Sequence, residues 1–151
     1  MSVTLFAAET SVMAGQPVPM QVTIVNDSGS TATIHDVLIQ SDANRPCTFV
    51  RSDELPATLA NGGTLVVPFT ATFRAPVQLD PATKQFLSFD CVGVLKSTVS
   101  GSYSETQSSA VTVNAINPNY PNANLIIGPN TGYIGLNLTS KKRAIAVPVV
   151  L

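Results

Sequence analysis

Met13-Ala-Gly-Gln-Pro-Val-Pro-Met-Gln-Val-Thr-Ile-Val-Asn-Asp-Ser-Gly-Ser-Thr-Ala-Thr-Ile-His-Asp-Val-Leu-Ile-Gln-Ser-Asp42 reads as turn, strand, turn, strand. Val18, Met20, Val22 and Ile24 alternate with Pro19, Gln21 and Thr23, the period of two expected of a strand with one face buried. Asn26 to Ser30 supplies Asn, Asp, Ser and Gly, the residues that accept left-handed backbone or close an Asx-turn. The next run, Ala32 to Gln40, changes phase in its middle. Ile34 sits on one phase, Val37 and Ile39 on the other, and a bulge at His35-Asp36 restores a single buried face.

The rest of the chain repeats this pattern. Ser2 to Ala8 alternates weakly and reads as a first strand, and Cys47 to Arg51 as a short edge strand. Asp53 to Asn61 reads as a connector closed by the turn Asn61-Gly62-Gly63. Leu65, Val67, Phe69, Ala71 and Phe73 form the clearest inward stripe, with Val66, Pro68, Thr70 and Thr72 outward. Proline cannot donate to a ladder, so Pro68 predicts that this strand is an edge or is bulged there. Ala75 to Thr83 reads as a crossing loop. Phe86 to Val99 is apolar on both phases, as in a central strand. Gly101 opens a Ser-rich hairpin turn, and Ser108 to Ala115 closes the module. No amphipathic helix of useful length is found.

The predicted fold is therefore all-β: an immunoglobulin-like antiparallel β-sandwich over residues 1–115, with a C-terminal extended or β arm over 116–151. The arm begins with a Pro- and Asn-rich stretch, Asn117 to Asn124, and ends in the apolar run Ala144-Ile-Ala-Val-Pro-Val-Val-Leu151. An apolar terminus has to be covered by something. Leu125, Ile127, Tyr133, Ile145, Val147, Val149 and Leu151 are the candidate assembly contacts.

Composition narrows the function. Apolar residues make up 44% of the 151, ample for a core, but only 11% are charged, against about 25% in an average soluble domain. Such a surface suits a protein that is assembled into something larger or lies outside a cell. The net charge is −1 and the longest basic run is Lys141-Lys142-Arg143, too short to grip a phosphate backbone, so no nucleic-acid partner is expected. The N-terminus lacks the basic and apolar regions of a signal peptide, and no run reaches the ~18 apolar residues of a spanning helix. Synthesis in the cytoplasm, or maturation from a longer chain, and no membrane insertion are expected. The sequon matches at Asn26 and Asn137 are taken as chance.

Catalytic and metal constellations are not legible. The single histidine, His35, has no nucleophile elbow to serve. Cys47 and Cys91, read as free buried thiols, are too few with one histidine for a zinc site. Asp53-Glu54 cannot face each other as an acid/base pair. Asp27, Asp42, Asp53 and Asp80 lack the Asp-x-Asp-x-Asp spacing of a calcium loop. No catalytic residue, cofactor or metal is expected. Tyr103, Tyr120 and Tyr133 are the candidate stacking platforms if a carbohydrate is bound.

Ala14-Gly-Gln-Pro-Val, Gln21-Val-Thr-Ile-Val-Asn26, Ser28-Gly-Ser and Thr31-Ala-Thr-Ile-His-Asp-Val37 follow one another in a characteristic order. With Asn61-Gly-Gly-Thr-Leu-Val-Val-Pro-Phe69 and Ser109-Ala-Val-Thr-Val113, this order resembles the adhesion-type immunoglobulin-like repeats of bacterial and viral proteins, over about Glu9 to Ala115. The antibody-type cysteine pair and core Trp are absent. The resemblance implies a spacer, adhesin or virion decoration without catalysis. The expected function is thus a non-enzymatic structural protein of a virion, such as a phage capsid decoration, cement or appendage protein. It would be made in the host cytoplasm and partnered by sister copies, a larger shell protein such as a capsid protein, or both. The alternative is a carbohydrate-binding or adhesion module at a cell surface.

Overall fold

A computed structural model describes residues 1–42, 46–74 and 86–116 of the chain. Ten strands follow one another without a helix among these residues: β1 (Ser2–Ala7), β2 (Ser11–Met13), β3 (Pro17–Val25), β4 (Ala32–Gln40), β5 (Cys47–Arg51), β6 (Thr58–Leu59), β7 (Thr64–Phe73), β8 (Phe86–Val99), β9 (Ser102–Gln107) and β10 (Val111–Ile116). They pair into two sheets. One runs β1-β3-β7-β5; the other runs β2-β10-β8-β4-β6, with β9 also paired to β8. This is the immunoglobulin-like order of A-B-E-D facing G-F-C, with β2 as the short N-terminal strand that crosses over and runs parallel to β10.

The alternation read from the sequence sets the core. Val18, Met20, Val22 and Ile24 of β3 and Val67, Phe69, Ala71 and Phe73 of β7 point inward and are buried. They meet Ile34, Val37, Ile39, Phe89, Cys91, Leu95 and Val113 of the opposite sheet. Gly93 marks a close approach of the layers. A Cβ there would lie 3.1 Å from Val22 Cγ2, so any side chain at this inward position on β8 would have to push the Val22 methyls aside. The β4–β8 register slips between Ile34 and Asp36, and this bulge puts Val37 and Ile39 back on the buried face, as the phase change requires.

Three features differ from the expectations. Pro68 lies on an interior strand that keeps register with β3 from Thr64 to Thr72. Its carbonyl accepts from Ser52 N at 3.0 Å on the side where β5 stops at Arg51. The missing donor therefore falls at the end of a neighbour, and neither an outer edge nor a bulge is needed. Pro19 repeats the arrangement on the other flank, accepting from Ala8 N at 3.0 Å where β1 stops at Ala7. The Ser-rich stretch after Gly101 is a full strand, β9, joined to β8 by a turn with Ser100 and Gly101 at φ 49° and 82°. Ile116, expected as the first arm residue, is the last of β10, opposite Phe86 and Met13.

Candidate interaction surfaces

Register assembles the outer face of the four-stranded sheet row by row. Phe6 lies beside Gln21 and Pro68; Thr4 beside Thr23 and Val66; Pro19 beside Thr70 and Val50. Phe6, Val66 and Val50 are 59%, 50% and 63% exposed, large fractions for side chains of this kind. None of the outward-phase residues of β1, β3, β5 and β7 is charged. Where β1 and β5 stop beside the two prolines, an open groove of about 260 Å³ crosses the sheet, lined among others by Phe6, Pro19, Gln21, Pro68 and Thr70. Solvated sheet faces normally carry charge to discourage association, and this one carries none.

The outer face of the other sheet has a different chemistry. Tyr103 on β9 stands opposite Thr98 on β8 and is 57% exposed. The His35 ring, turned outward by the bulge, lies 5.9 Å from the Tyr103 ring, and His35 Nε2 is 2.7 Å from Thr98 Oγ1. Tyr103 donates to Glu105 Oε1 at 2.9 Å, which pushes the phenol pKa up, and Lys96 Nζ lies 3.9 Å from the same carboxylate oxygen. A tyrosine ring among a carboxylate, an ammonium, an imidazole and a hydroxyl can stack on and hydrogen-bond a polar ring. Of the three tyrosine candidates, Tyr103 alone lies within the described residues.

Met13, Ile116 and Phe86 form a third, smaller surface. They lie side by side on the outward phase of β2, β10 and β8, where the described chain ends. Met13 and Phe86 are 40% and 46% exposed. The assembly candidates Leu125, Ile127, Tyr133, Ile145, Val147, Val149 and Leu151 fall outside the described residues.

The cysteines face each other across the layers. Ser41 continues β4 one residue past Gln40, which pairs with Val92, so it stands level with Cys91. Its hydroxyl lies against both the Cys91 and Cys47 sulfurs and has no partner of ordinary hydrogen-bond geometry. Both thiols are free. Burial pushes the Cys91 thiol up to about 12 and raises that of Cys47 as well. Thiol reagents attack the thiolate. At pH 8, under non-denaturing conditions, half-buried Cys47 is therefore expected to react slowly and Cys91 only as fast as the sandwich opens. In denaturant both should titrate together. Two fast thiols in the native protein would contradict the packing described.

Among the described residues no group of three or more His, Cys, Asp or Glu is placed to hold a metal ion, and no helix is long and apolar enough to cross a membrane. No protein-family model matches the chain, and no curated protein matches it. Among solved structures, the crystal structure of a FixG-related protein from Vibrio parahaemolyticus aligns with a TM-score of 0.46 at 9% identity, over 78% of this chain and 95% of that one. The likeness is remote.

Proposed function

We propose that this chain is a non-enzymatic assembly protein, a virion component of the decoration, cement or appendage kind. In this reading the sandwich, with Ile116 as the last residue of β10, is a rigid body and the rest of the 116–151 arm, residues 117–151, makes the contacts with sister copies or a larger shell protein. The observation that carries the reading is the charge-free outer face of the four-stranded sheet, with Phe6, Val50 and Val66 open to solvent. A face of this kind favours association over solubility. The low overall charge and the apolar run Ala144 to Leu151 point the same way. Each of Ile145, Val147, Val149 and Leu151 contributes roughly 1.5–3 kcal/mol when covered.

Deleting residues 117–151 tests it. The expected result is a sandwich whose melting temperature is unchanged and which sediments as a monomer, where the full chain forms oligomers or binds a particle. A truncated protein that assembles as well as the full chain would overturn the reading, as would a full chain that stays monomeric and binds no particle.

The Tyr103 cluster favours a second reading, a carbohydrate-binding adhesion module. There, saturable binding on a glycan array should be lost in Tyr103→Ala while the fold is retained. No binding across the array removes this alternative.

A further inference from the structure

We propose that the outer face of the four-stranded sheet is the docking surface for the chain's own C-terminal segment, with Ala144 to Leu151 lying along the groove between Phe6 and Pro68. That the segment comes from a neighbouring copy rests on the assembly reading; the identity of the surface does not.

Charge selects the occupant. All nine acidic residues precede Ile116, with five of the eight basic ones, so the first 116 residues carry −4. Residues 117–151 contain no acid and carry +3 through Lys141, Lys142 and Arg143. Two sandwich bodies of −4 repel each other when brought face to face, whereas a body and this segment attract. The face itself asks for an uncharged, apolar ligand, because any ion laid across it would lose water without gaining a partner. Ala144 to Leu151 is such a ligand: eight residues without a charged or polar side chain, preceded directly by the three cations. Its Pro148 restricts the free segment and reduces the ordering cost of docking. The segment also has the length to arrive. The described chain ends at Ile116 beside β2, and residues 117–151 extended span on the order of 100 Å, far more than the width of a sandwich.

A photo-crosslinking experiment on the full chain tests this. Phe6→p-benzoylphenylalanine places the probe in the groove, and Tyr103→p-benzoylphenylalanine on the opposite sheet serves as the control. Trypsin cuts after Arg143 and releases Ala144 to Leu151 as a single peptide, so its crosslinks are simple to identify by mass. A mixture of ¹⁵N-labelled and unlabelled chains separates contacts between copies from contacts within one. Position 6 should crosslink to residues 144–151 at least tenfold more than position 103 does. Phe6→Ser combined with Val66→Ser, both on the solvent side, should weaken association at least tenfold at an unchanged melting temperature. Crosslinks from position 6 to sandwich peptides, or none above the control, overturn the inference. If residues 117–151 nevertheless crosslink to other copies elsewhere, the assembly reading stands without it. Crosslinks to 144–151 confined to one chain in a monomer support the docking surface and overturn the assembly reading instead.

Discussion

Asn26→Ala is expected to lower the unfolding free energy by about 3 kcal/mol, with an unchanged denaturant slope. Asn26 is completely buried at the end of β3. Its Nδ2 donates to the carbonyls of Ser30 and Leu59, both at 2.8 Å, and its Oδ1 accepts from Ser28 N at 3.1 Å and Ser28 Oγ at 2.6 Å. Its main chain donates to Gly63 O at 2.9 Å and accepts from Gly62 N at 2.6 Å. One side chain thus fastens the turn after β3 to the segment leading into β7. Alanine takes the side-chain donor from the Leu59 carbonyl and the acceptor from Ser28, while the Ser30 carbonyl keeps only Ser28 Oγ at 3.0 Å, and each unmet buried group costs about 1–3 kcal/mol. Asn26→Asp keeps the acceptor for Ser28 but turns an oxygen toward two carbonyls, so it should be no milder. Asn61→Ala removes only the 2.9 Å bond from Gly29 N on the exposed rim and should cost under about 1 kcal/mol. Equal losses for the two alanine variants would remove Asn26 from this role.

Phe73→Ala should cost about 4 kcal/mol, the largest single loss in the core. The ring is fully buried, 5.8 Å from the Phe49 ring in an edge-to-face arrangement and 5.0 Å from the Phe89 ring. It thus joins β5 and β7 of one sheet to β8 of the other. Alanine opens a cavity that these rings cannot close without moving a strand. Phe73→Leu should recover more than half of the loss. The same cavity lies beside Cys47, which pairs with Phe73, and near Cys91, so Cys91 labelling should accelerate in step with the loss of stability. A stability loss without faster labelling would mean that Cys91 reacts by a route other than opening of the sandwich.

Strand positions and the buried face were legible because both depend on local alternation. The bulge at His35 was legible for the same reason: a phase change has one cheap solution. Tertiary context decided the rest. β2 and β6 are three and two residues long, too short to show a period, and exist because β10 and β4 offer them partners. β9 carries exposed polar residues along nearly its whole length, so only its pairing with β8 identifies it. Pro68 looked like an edge marker because sequence shows a missing donor but not where the neighbouring strand ends. Val66 and Pro68 could be read as outward, but their grouping with Phe6, Pro19 and Val50 needed the register of four strands. The acidic body and basic segment were visible in the sequence by count, though their meaning depends on the uncharged face.

The parallel pairing of β2 with β10 has a mechanical consequence. Asn114 N bonds Thr10 O and Ala14 N bonds Ile116 O, both at 2.8 Å, so the second and last described strands lie side by side and point the same way. A pull that drags Thr10 back and residues beyond Ile116 forward loads these bonds together along the strand axis, in shear, instead of peeling them one at a time. Once β1 has come away from β3, a module held by residues beyond Ile116 and tugged by its first yields only when the whole clamp slides. Within this short clamp the force required depends on backbone geometry more than on side chains. Substitutions at Ser11 or Asn114 should therefore change rupture force far less than a proline placed at Asn114, whose N–H the clamp uses.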